Sequence, residues 1–245
     1  MIHKLRSLNI PLILCSSKTR AEILPLWREL HLADPFIAEN GALTCIPRRY
    51  FPGALWGVVH ESDFDILALG TPVGQLRRAL AQAAKECHLT VTSFENMDVR
   101  EISTLTGLTL DKAALAKARE YDEPFLIDKD NSEHLLRLLR PKGFRITRGD
   151  CFFHITGDHD KGMAVEALVD LYRQVDVKVM SVGLGNSAND LELLSRVDLP
   201  FLVRNLDGSY NSKITSRLSA IRRTQGIGPE GWREAVESVL REVEL

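Results

Sequence analysis

The sequence lacks the features that mark secreted, membrane-spanning and polyanion-binding proteins. No apolar run approaches the roughly 20 residues that cross a bilayer, and the N-terminal apolar stretch is too short for a signal peptide. The four cysteines are dispersed without a C-x-x-C pair, so a disulfide framework is not favoured. A formal net charge of -2 gives no general attraction for nucleic acid. We therefore predict a cytoplasmic protein, a monomer or homodimer, whose partner is a small molecule rather than nucleic acid or a membrane.

Apolar patterns at both ends of the chain predict an α/β architecture. Residues 10–16 form a short apolar run typical of a buried strand, and residues 21–32 carry apolar side chains at helical spacing. A second apolar run, within residues 35–42, ends in Asn-Gly. A strand, a helix and a strand in this order predict parallel pairing. The same alternation of strand and helix patterns returns after Lys161, which begins a predicted helix.

The middle of the chain differs, because short strands there alternate with amphipathic helices. A helical stretch over residues 99–118 is broken near Thr106-Gly107, and a turn is predicted at Gly149-Asp150. The simplest division is a Rossmann-like parallel-sheet core built from residues 1–53 and 157–245, with an α+β domain inserted over residues 54–156. A chain of 245 residues with 44% hydrophobic residues is long enough to bury such a core.

The strongest local signal is a strand that ends in glycines and enters a helix through the segment GNSAND. Gly183, Gly185 and Ala188 match the dinucleotide pattern G-x-G-x-x-A, but no acidic residue ends the next strand. Alternatively, Asn186, Asn189 and Asp190 supply oxygen ligands for a hard cation such as Mg²⁺. In a purely structural interpretation, the aspartate caps a helix and the asparagine is a turn residue.

Two further positions point to phosphate chemistry. Lys161 lies in the first turn of a predicted helix, where the helix dipole disfavours a cation, and this placement indicates a role with a phosphate or a carboxylate. Ser16 and Lys18 follow the first strand directly, where hydroxyl groups suit phosphate oxygens. The structural alternative is that these residues cap the following helix.

Together these positions resemble the haloacid dehalogenase (HAD) phosphatases, in which a hydroxyl residue, a lysine and an acidic loop follow in this order. The inserted middle segment is similar to the α/β cap of the large-cap (type IIB) subgroup. Six segments sharpen the likeness to the mannosyl-3-phosphoglycerate phosphatase family over nearly the whole chain: SSKTRAEI, PFIAENGA, IPRRYFP, AREYDE, HITGDHDKG and GPEGW.

The resemblance implies a specific reaction. The family removes phosphate from 2-O-mannosyl-3-phosphoglycerate to give mannosylglycerate, a compatible solute, with Mg²⁺ and through an aspartyl-phosphate. It implies that Ser16 and Lys161 act on the transferring phosphoryl group and that Asn186 and Asp190 hold the metal. The implied substrate-binding residues are Lys18, Glu39, Asn40, Gly41, Arg119, Glu120, Asp122, His154, Pro229 and Glu230.

Two departures from the family pattern leave an alternative open. The sequence contains no D-x-D-x-T, the motif that carries the nucleophile and belongs before the strand that starts at Ile10. We expect this segment to lie upstream and the 245-residue chain to be inactive without it. Asn186 stands where the family usually has aspartate, which removes one negative charge from the metal site. The alternative is a catalytically inactive HAD homologue that only binds a sugar phosphate.

Overall fold

A computed structural model describes residues 1–127, 132–149 and 151–244 of the chain. The predicted turn at Gly149-Asp150 falls partly outside these ranges, since Asp150 is not among the described residues. The helices are α1 (Ile2–Ser7), α2 (Arg20–Glu29), α3 (Val73–Glu86), α4 (Val99–Thr106), α5 (Leu110–Lys117), α6 (Ser132–Leu139), α7 (Lys161–Val175), α8 (Leu191–Leu194), α9 (Ser212–Arg217) and α10 (Pro229–Glu242). None of them is long and apolar enough to cross a membrane.

Within the described residues the strands form three sheets. Their bounds are β1 (Leu14–Cys15), β2 (Phe36–Ala38), β3 (Leu43–Pro47), β4 (Val58–Glu61), β5 (Phe64–Ala68), β6 (Thr92–Ser93), β7 (Asp122–Leu126), β8 (Arg145–Arg148), β9 (Phe153–Thr156), β10 (Val182–Gly185), β11 (Leu199–Arg204) and β12 (Arg222–Ile227). The sheet orders are β1-β2-β3-β5-β4, β10-β11-β12 and β6-β7-β9-β8.

The first two sheets make up the core, and their parallel strands confirm the predicted α/β class. β1 pairs parallel to β2, and β10, β11 and β12 are all parallel. Cys15, at the end of β1, packs both against the leucines of α8 and against the cluster around Ile37 and Ala164. The carboxyl ends of β1 and β2 therefore lie close to helices α7 and α8.

One hairpin lies in a different sheet from the one that the pattern predicted. β4 and β5 pair with each other and with β3, so residues 58–68 extend the first core sheet instead of belonging to the inserted domain that was expected to begin at residue 54. Short alternating strands show that a sheet forms but not which strand they pair with. β9, in the third sheet, ends at Thr156, and the boundary at residue 156 stays a prediction.

The third sheet is antiparallel and is covered by helices α3 and α6, whose apolar faces pack on Phe125 and Ile155. Helices α4 and α5 complete this unit and are separated at Gly107, whose φ of 73° ends α4 in a left-handed cap, as the Thr106-Gly107 break predicted. We call the sheet β6–β9 with helices α3–α6 the cap, and the remainder the core.

Strand limits differ most in the segment that leads to the GNSAND loop. The apolar run predicted a strand over residues 177–183, whereas β10 starts only at Val182. Val177 is 87% exposed, so the first part of the run is not buried, and the pairing with β11 starts at Val182. Apolar composition alone does not identify a strand, because pairing requires a partner within hydrogen-bonding distance.

Candidate active site

The loop after β1 begins the site. Thr19 caps α2 in a reciprocal capping box, in which its Oγ1 accepts the N–H of Glu22 and the Glu22 carboxylate accepts the N–H of Thr19. The buried Thr19 hydroxyl also donates to the carbonyl oxygen of Leu115 in the cap, at 2.9 Å. The Ser16 hydroxyl accepts the N–H of Lys18 at 3.2 Å. This loop is therefore well ordered by local hydrogen bonds and attached to the cap.

The turn after β2 lies beside this loop because the two strands are parallel neighbours. The N–H of Asn40 donates to the carbonyl oxygen of Ser16 at 3.0 Å, and the N–H of Glu39 donates to that of Lys18 at 2.9 Å. Gly41 has a φ of 94°, and a Cβ at this position would lie 2.2 Å from the carbonyl oxygen of Asp160. Only glycine fits there, because both the backbone conformation and the space exclude a side chain.

Lys161 and Asp190 form the buried ion pair of the site. The Nζ atom of Lys161 lies 2.6 Å from Oδ1 of Asp190, and both side chains are almost fully enclosed. Asp160 caps the helix directly before the lysine by accepting the N–H of Met163, which places Lys161 in the first turn as predicted. Burial raises the pKa of the nearby Cys15 thiol to about 12, so this cysteine is packing rather than a nucleophile.

The GNSAND loop folds around Asp190. Oδ2 of this carboxylate accepts the N–H groups of Asn186 and Ser187, each at 3.0 Å. Burial opposes ionisation of Asp190, but the Lys161 ammonium and these hydrogen bonds outweigh it and hold the pKa of the carboxyl below its usual value. Asn189 ties the loop to the neighbouring turn by donating to Asn40 at 3.0 Å.

Gly183 and Gly185, both in β10, allow neighbouring residues to approach the strand closely. A Cβ on Gly185 would lie 2.5 Å from Cβ of Asp190, and one on Gly183 would lie 2.8 Å from Val197. The helix α8 that follows has only four residues. Gly185 therefore allows the Asp190 carboxylate to approach the strand, and Gly183 allows Val197 to do so; this close packing accounts for the G-x-G-x-x-A match without a dinucleotide.

The donor set around Asp190 gives partial support to a metal site. Asn186 and Asp190 carry oxygen atoms, which Mg²⁺ prefers, and Mg²⁺ sites commonly use only one or two carboxylates together with water and phosphate oxygens. However, no group of three His, Cys, Asp or Glu side chains that could hold a metal occurs within the described ranges. The exposed Asn186 also donates its side-chain amide to Asn205 at 2.8 Å.

The cap contributes a second polar group to the same region. Nη1 of Arg119 donates to the carbonyl oxygen of Ser17 in the core at 2.9 Å and lies 3.2 Å from Oδ2 of Asp122. His154, on β9, is 2.9 Å from the same Asp122 oxygen. β7 and β9 pair directly, with Pro124 opposite His154, and this pairing brings the histidine beside the acid. Arg119 and Asp122, three positions apart, thus form one cluster with His154, which lies 32 positions after the aspartate.

An open pocket of about 210 Å³ lies between the core loop and the cap. Lys18 and Arg119 line it together with His154, while Phe94 and Phe152 provide an apolar wall. The two phenylalanine rings are perpendicular, with centroids 5.0 Å apart. A cationic rim over an apolar wall suits an anionic sugar derivative, since sugar rings pack on aromatic faces while charges bind the cationic groups.

Other predicted residues lie outside this pocket. The fully buried Glu39 and the half-buried Glu120 are both engaged in contacts between core and cap, described below. Pro229 and Glu230 begin α10 and are exposed, and they follow β12 at the same sheet edge as the GNSAND loop. Arg20, Phe94 and Phe152 were not among the predicted site residues. Arg20 could have been found, because it lies in the family segment SSKTRAEI, whereas no sequence pattern marks the two phenylalanines.

No protein-family model matches the chain. A glucosyl-3-phosphoglycerate/mannosyl-3-phosphoglycerate phosphatase from Methanococcoides burtonii is 39% identical over 238 residues, which cover 96% of this chain and 87% of the relative. A mannosyl-3-phosphoglycerate phosphatase from Pyrococcus furiosus is 33% identical over 225 residues, covering 91% of this chain and 90% of the relative. The chain belongs to the mannosyl-3-phosphoglycerate phosphatase family.

Solved structures place this family member in the expected fold. A haloacid dehalogenase-like hydrolase from Bacteroides thetaiotaomicron superposes with a TM-score of 0.65 at 15% identity, covering 97% of this chain and 90% of that chain. A HAD subclass IIB sugar phosphatase superposes with a TM-score of 0.64 at 12% identity, covering 97% and 88%. The predicted α/β HAD fold is thereby confirmed.

Proposed function

We propose that the protein hydrolyses the phosphate monoester of mannosyl-3-phosphoglycerate, or of a close glycosyl-phosphoglycerate, to mannosylglycerate or its analogue and inorganic phosphate. The proposal rests on one observation above all. The Lys161–Asp190 pair, the Ser16 loop and the Arg119 cluster of the cap meet at one edge of the core, in a chain whose relatives bear the names of such phosphatases. A phosphate end and a sugar end of one substrate would thus face different elements.

The residues divide into two groups by their position. Ser16 would hold the transferring phosphoryl group, and Lys161 would stabilise its negative charge from a buried position, where an ion interacts more strongly than in water. Arg119, Asp122, His154 and Lys18 would bind the sugar hydroxyls and the glycerate carboxylate. Asn40, Gly41, Pro229 and Glu230 stay predicted contacts at the same sheet edge.

We also propose that the activity depends on Mg²⁺. Asp190 and Asn186 are the proposed ligands, and the bound cation would supply positive charge beside the phosphate oxygens. Because Lys161 already occupies one oxygen of Asp190, the lysine and the cation would share this carboxylate. A cytoplasmic location and the absence of a nucleic-acid or membrane partner stay predictions.

The aspartyl-phosphate route is the remaining part of the hypothesis. In this route an aspartate attacks phosphorus, the alcohol of the glycerate leaves with a proton, and water then hydrolyses the phosphoenzyme. One observation favours a second candidate, a homologue that only binds a sugar phosphate: the sequence contains no D-x-D-x-T.

Phosphate release and ligand binding, measured on the same protein, separate these candidates. The protein is incubated with mannosyl-3-phosphoglycerate and Mg²⁺ while inorganic phosphate is assayed, and substrate binding is measured by calorimetry. Binding with release supports the phosphatase, and binding without release supports the binding protein. Neither binding nor release would refute both. Lys161→Met should abolish both signals, whereas Lys213→Met, at an exposed lysine of α9, is the matched control.

A further inference from the structure

Glu39 occupies an unusual place for a charged side chain. It follows β2 in a turn where its own φ is 47° and that of Asn40 is 57°, both in the left-handed region that disfavours residues with a side chain. Its side chain has no solvent-exposed surface. A strained backbone and a buried carboxylate each cost folding free energy, so their coincidence points to a functional use.

The carboxylate of Glu39 reaches from the core into the cap. Oε1 accepts the N–H of Glu120 and Oε2 accepts the N–H of Tyr121, each at 2.9 Å. These two amides precede β7 in the segment that connects α5 to the cap sheet. An ionised carboxylate offers one oxygen to each of these N–H donors, whereas protonation turns one oxygen into a hydroxyl donor and a carboxamide carries a single acceptor oxygen.

Arg20 holds the same segment from its other side. Its guanidinium binds the Glu120 carboxylate in a bidentate manner, with Nε at 3.0 Å and Nη2 at 2.8 Å, and its Nη1 donates to Glu61 at 2.7 Å. The two residues on either side of these anchor points, Arg119 and Asp122, belong to the polar cluster at the pocket. The backbone of residues 120 and 121 is therefore the point at which core contacts fix the position of the pocket residues.

We propose that Glu39 is a positioning residue: its carboxylate fixes residues 120–121 of the cap against the core and thereby sets Arg119 and Asp122 for substrate. This inference rests on the proposed function for its effect on catalysis, while the contact itself does not depend on that function. It assigns Glu39 a role different from direct substrate binding. Arg20 supports the same segment through the side chain of Glu120.

Burial of Glu39 makes its contact with residues 120–121 sensitive to pH. Burial raises the pKa of Glu39 to about 7, although Arg119 and the hydrogen bonds from Glu120 and Tyr121 oppose the shift. Asp122 adds to the rise, and His159 faces the turn with its Nε2 3.3 Å from the Glu39 carbonyl oxygen. Burial lowers the pKa of His159, so this histidine is neutral where Glu39 titrates.

Hydrogen exchange of the 120 and 121 amides, followed by NMR or mass spectrometry, tests the contact directly. In the wild type at pH 8 both amides should be protected. Glu39→Gln offers one acceptor for two donors, so exchange of at least one amide should accelerate by about tenfold or more, as expected for the loss of one hydrogen bond. Unchanged exchange in a folded Glu39→Gln protein would overturn the inference. Glu29→Gln, at an exposed glutamate ending α2, is the matched control.

Kinetics with mannosyl-3-phosphoglycerate test the consequence for the pocket. KM should rise about tenfold in Glu39→Gln with a smaller change in kcat, because the residue positions binding groups without touching the reacting phosphate. Wild-type KM should also rise as the pH falls below 7, and the variant should lose this dependence. Equal KM and equal pH profiles in both proteins would refute the positioning role. If the wild type releases no phosphate, the proposed function fails, and the exchange experiment alone decides on the contact.

Discussion

The ammonium of Lys161 and the carboxylate of Asp190 are 2.6 Å apart and buried, although 29 residues separate them in sequence. One residue opens α7 and the other follows β10, so the pair joins two elements of the core across the site. Burial removes both ions from water, and each is tolerated there only because the other is present. Replacing either partner alone leaves a buried charge without compensation.

Asp190→Asn should therefore lower the free energy of unfolding by about 3–5 kcal/mol, measured by urea denaturation at pH 7. Glu242→Gln is the control, because Glu242 pairs with Arg222 at the surface, where screening by water leaves such a pair with little effect on stability. The double variant Lys161→Met/Asp190→Leu should recover part of the loss, since it buries no charge. Equal losses in the Asp190 and Glu242 variants would contradict this account.

Gly41→Ala should destabilise the protein by about 3 kcal/mol, because the new methyl group meets the carbonyl oxygen of Asp160 and the backbone φ is 94°. Gly53→Ala separates the two causes, since its φ is 84° but no atom lies within 4 Å of the added Cβ. The control should lose only about 1 kcal/mol. Denaturant midpoints of both variants provide the measurement, and similar losses would show that the close approach is not tight in solution.

Stability should fall as the pH rises between about 4.5 and 7 through the titration of Glu39. Its pKa is about 7 in the folded protein against 4.5 for the unperturbed group, so the folded state holds a proton that the unfolded state has released. The free energy of unfolding then decreases with pH across this window, by on the order of 3 kcal/mol. Glu39→Gln cannot ionise and should show a flatter profile. The difference between the two profiles in urea titrations measures the effect, and parallel profiles would contradict the raised pKa.

Arg119→Ala should raise KM for mannosyl-3-phosphoglycerate by about tenfold to a hundredfold, the range for a lost charge-assisted hydrogen bond. Steady-state assays of phosphate release check this expectation. Arg100→Ala, at an exposed position of α4, should leave KM unchanged. An unchanged KM in Arg119→Ala, with an intact thermal transition, would remove this residue from the substrate pocket.

Several features could be predicted from the sequence because they depend on local order. The capping residues, the helical periodicity of α3 and α7 and the break at Gly107 are properties of neighbouring residues, and all are present in the structure. The GNSAND loop indicated Asp190 and the helix start indicated Lys161, while the family segments indicated Arg119 and His154. The structure brings the first two into one ion pair and the last two into one pocket.

Pairing and burial were decided only by the tertiary structure. The sequence does not show that the β4–β5 hairpin pairs with β3, because alternating strands of the same length suit either sheet. Nor does it show that both oxygens of Glu39 accept amides of the cap. Those amides belong to Glu120 and Tyr121, which lie 81 and 82 positions further along the chain. The sequence by itself determined the helices, their caps and the types of residue available for the chemistry. Which of them meet, and which lose their contact with water, depends on long-range packing that local patterns do not encode.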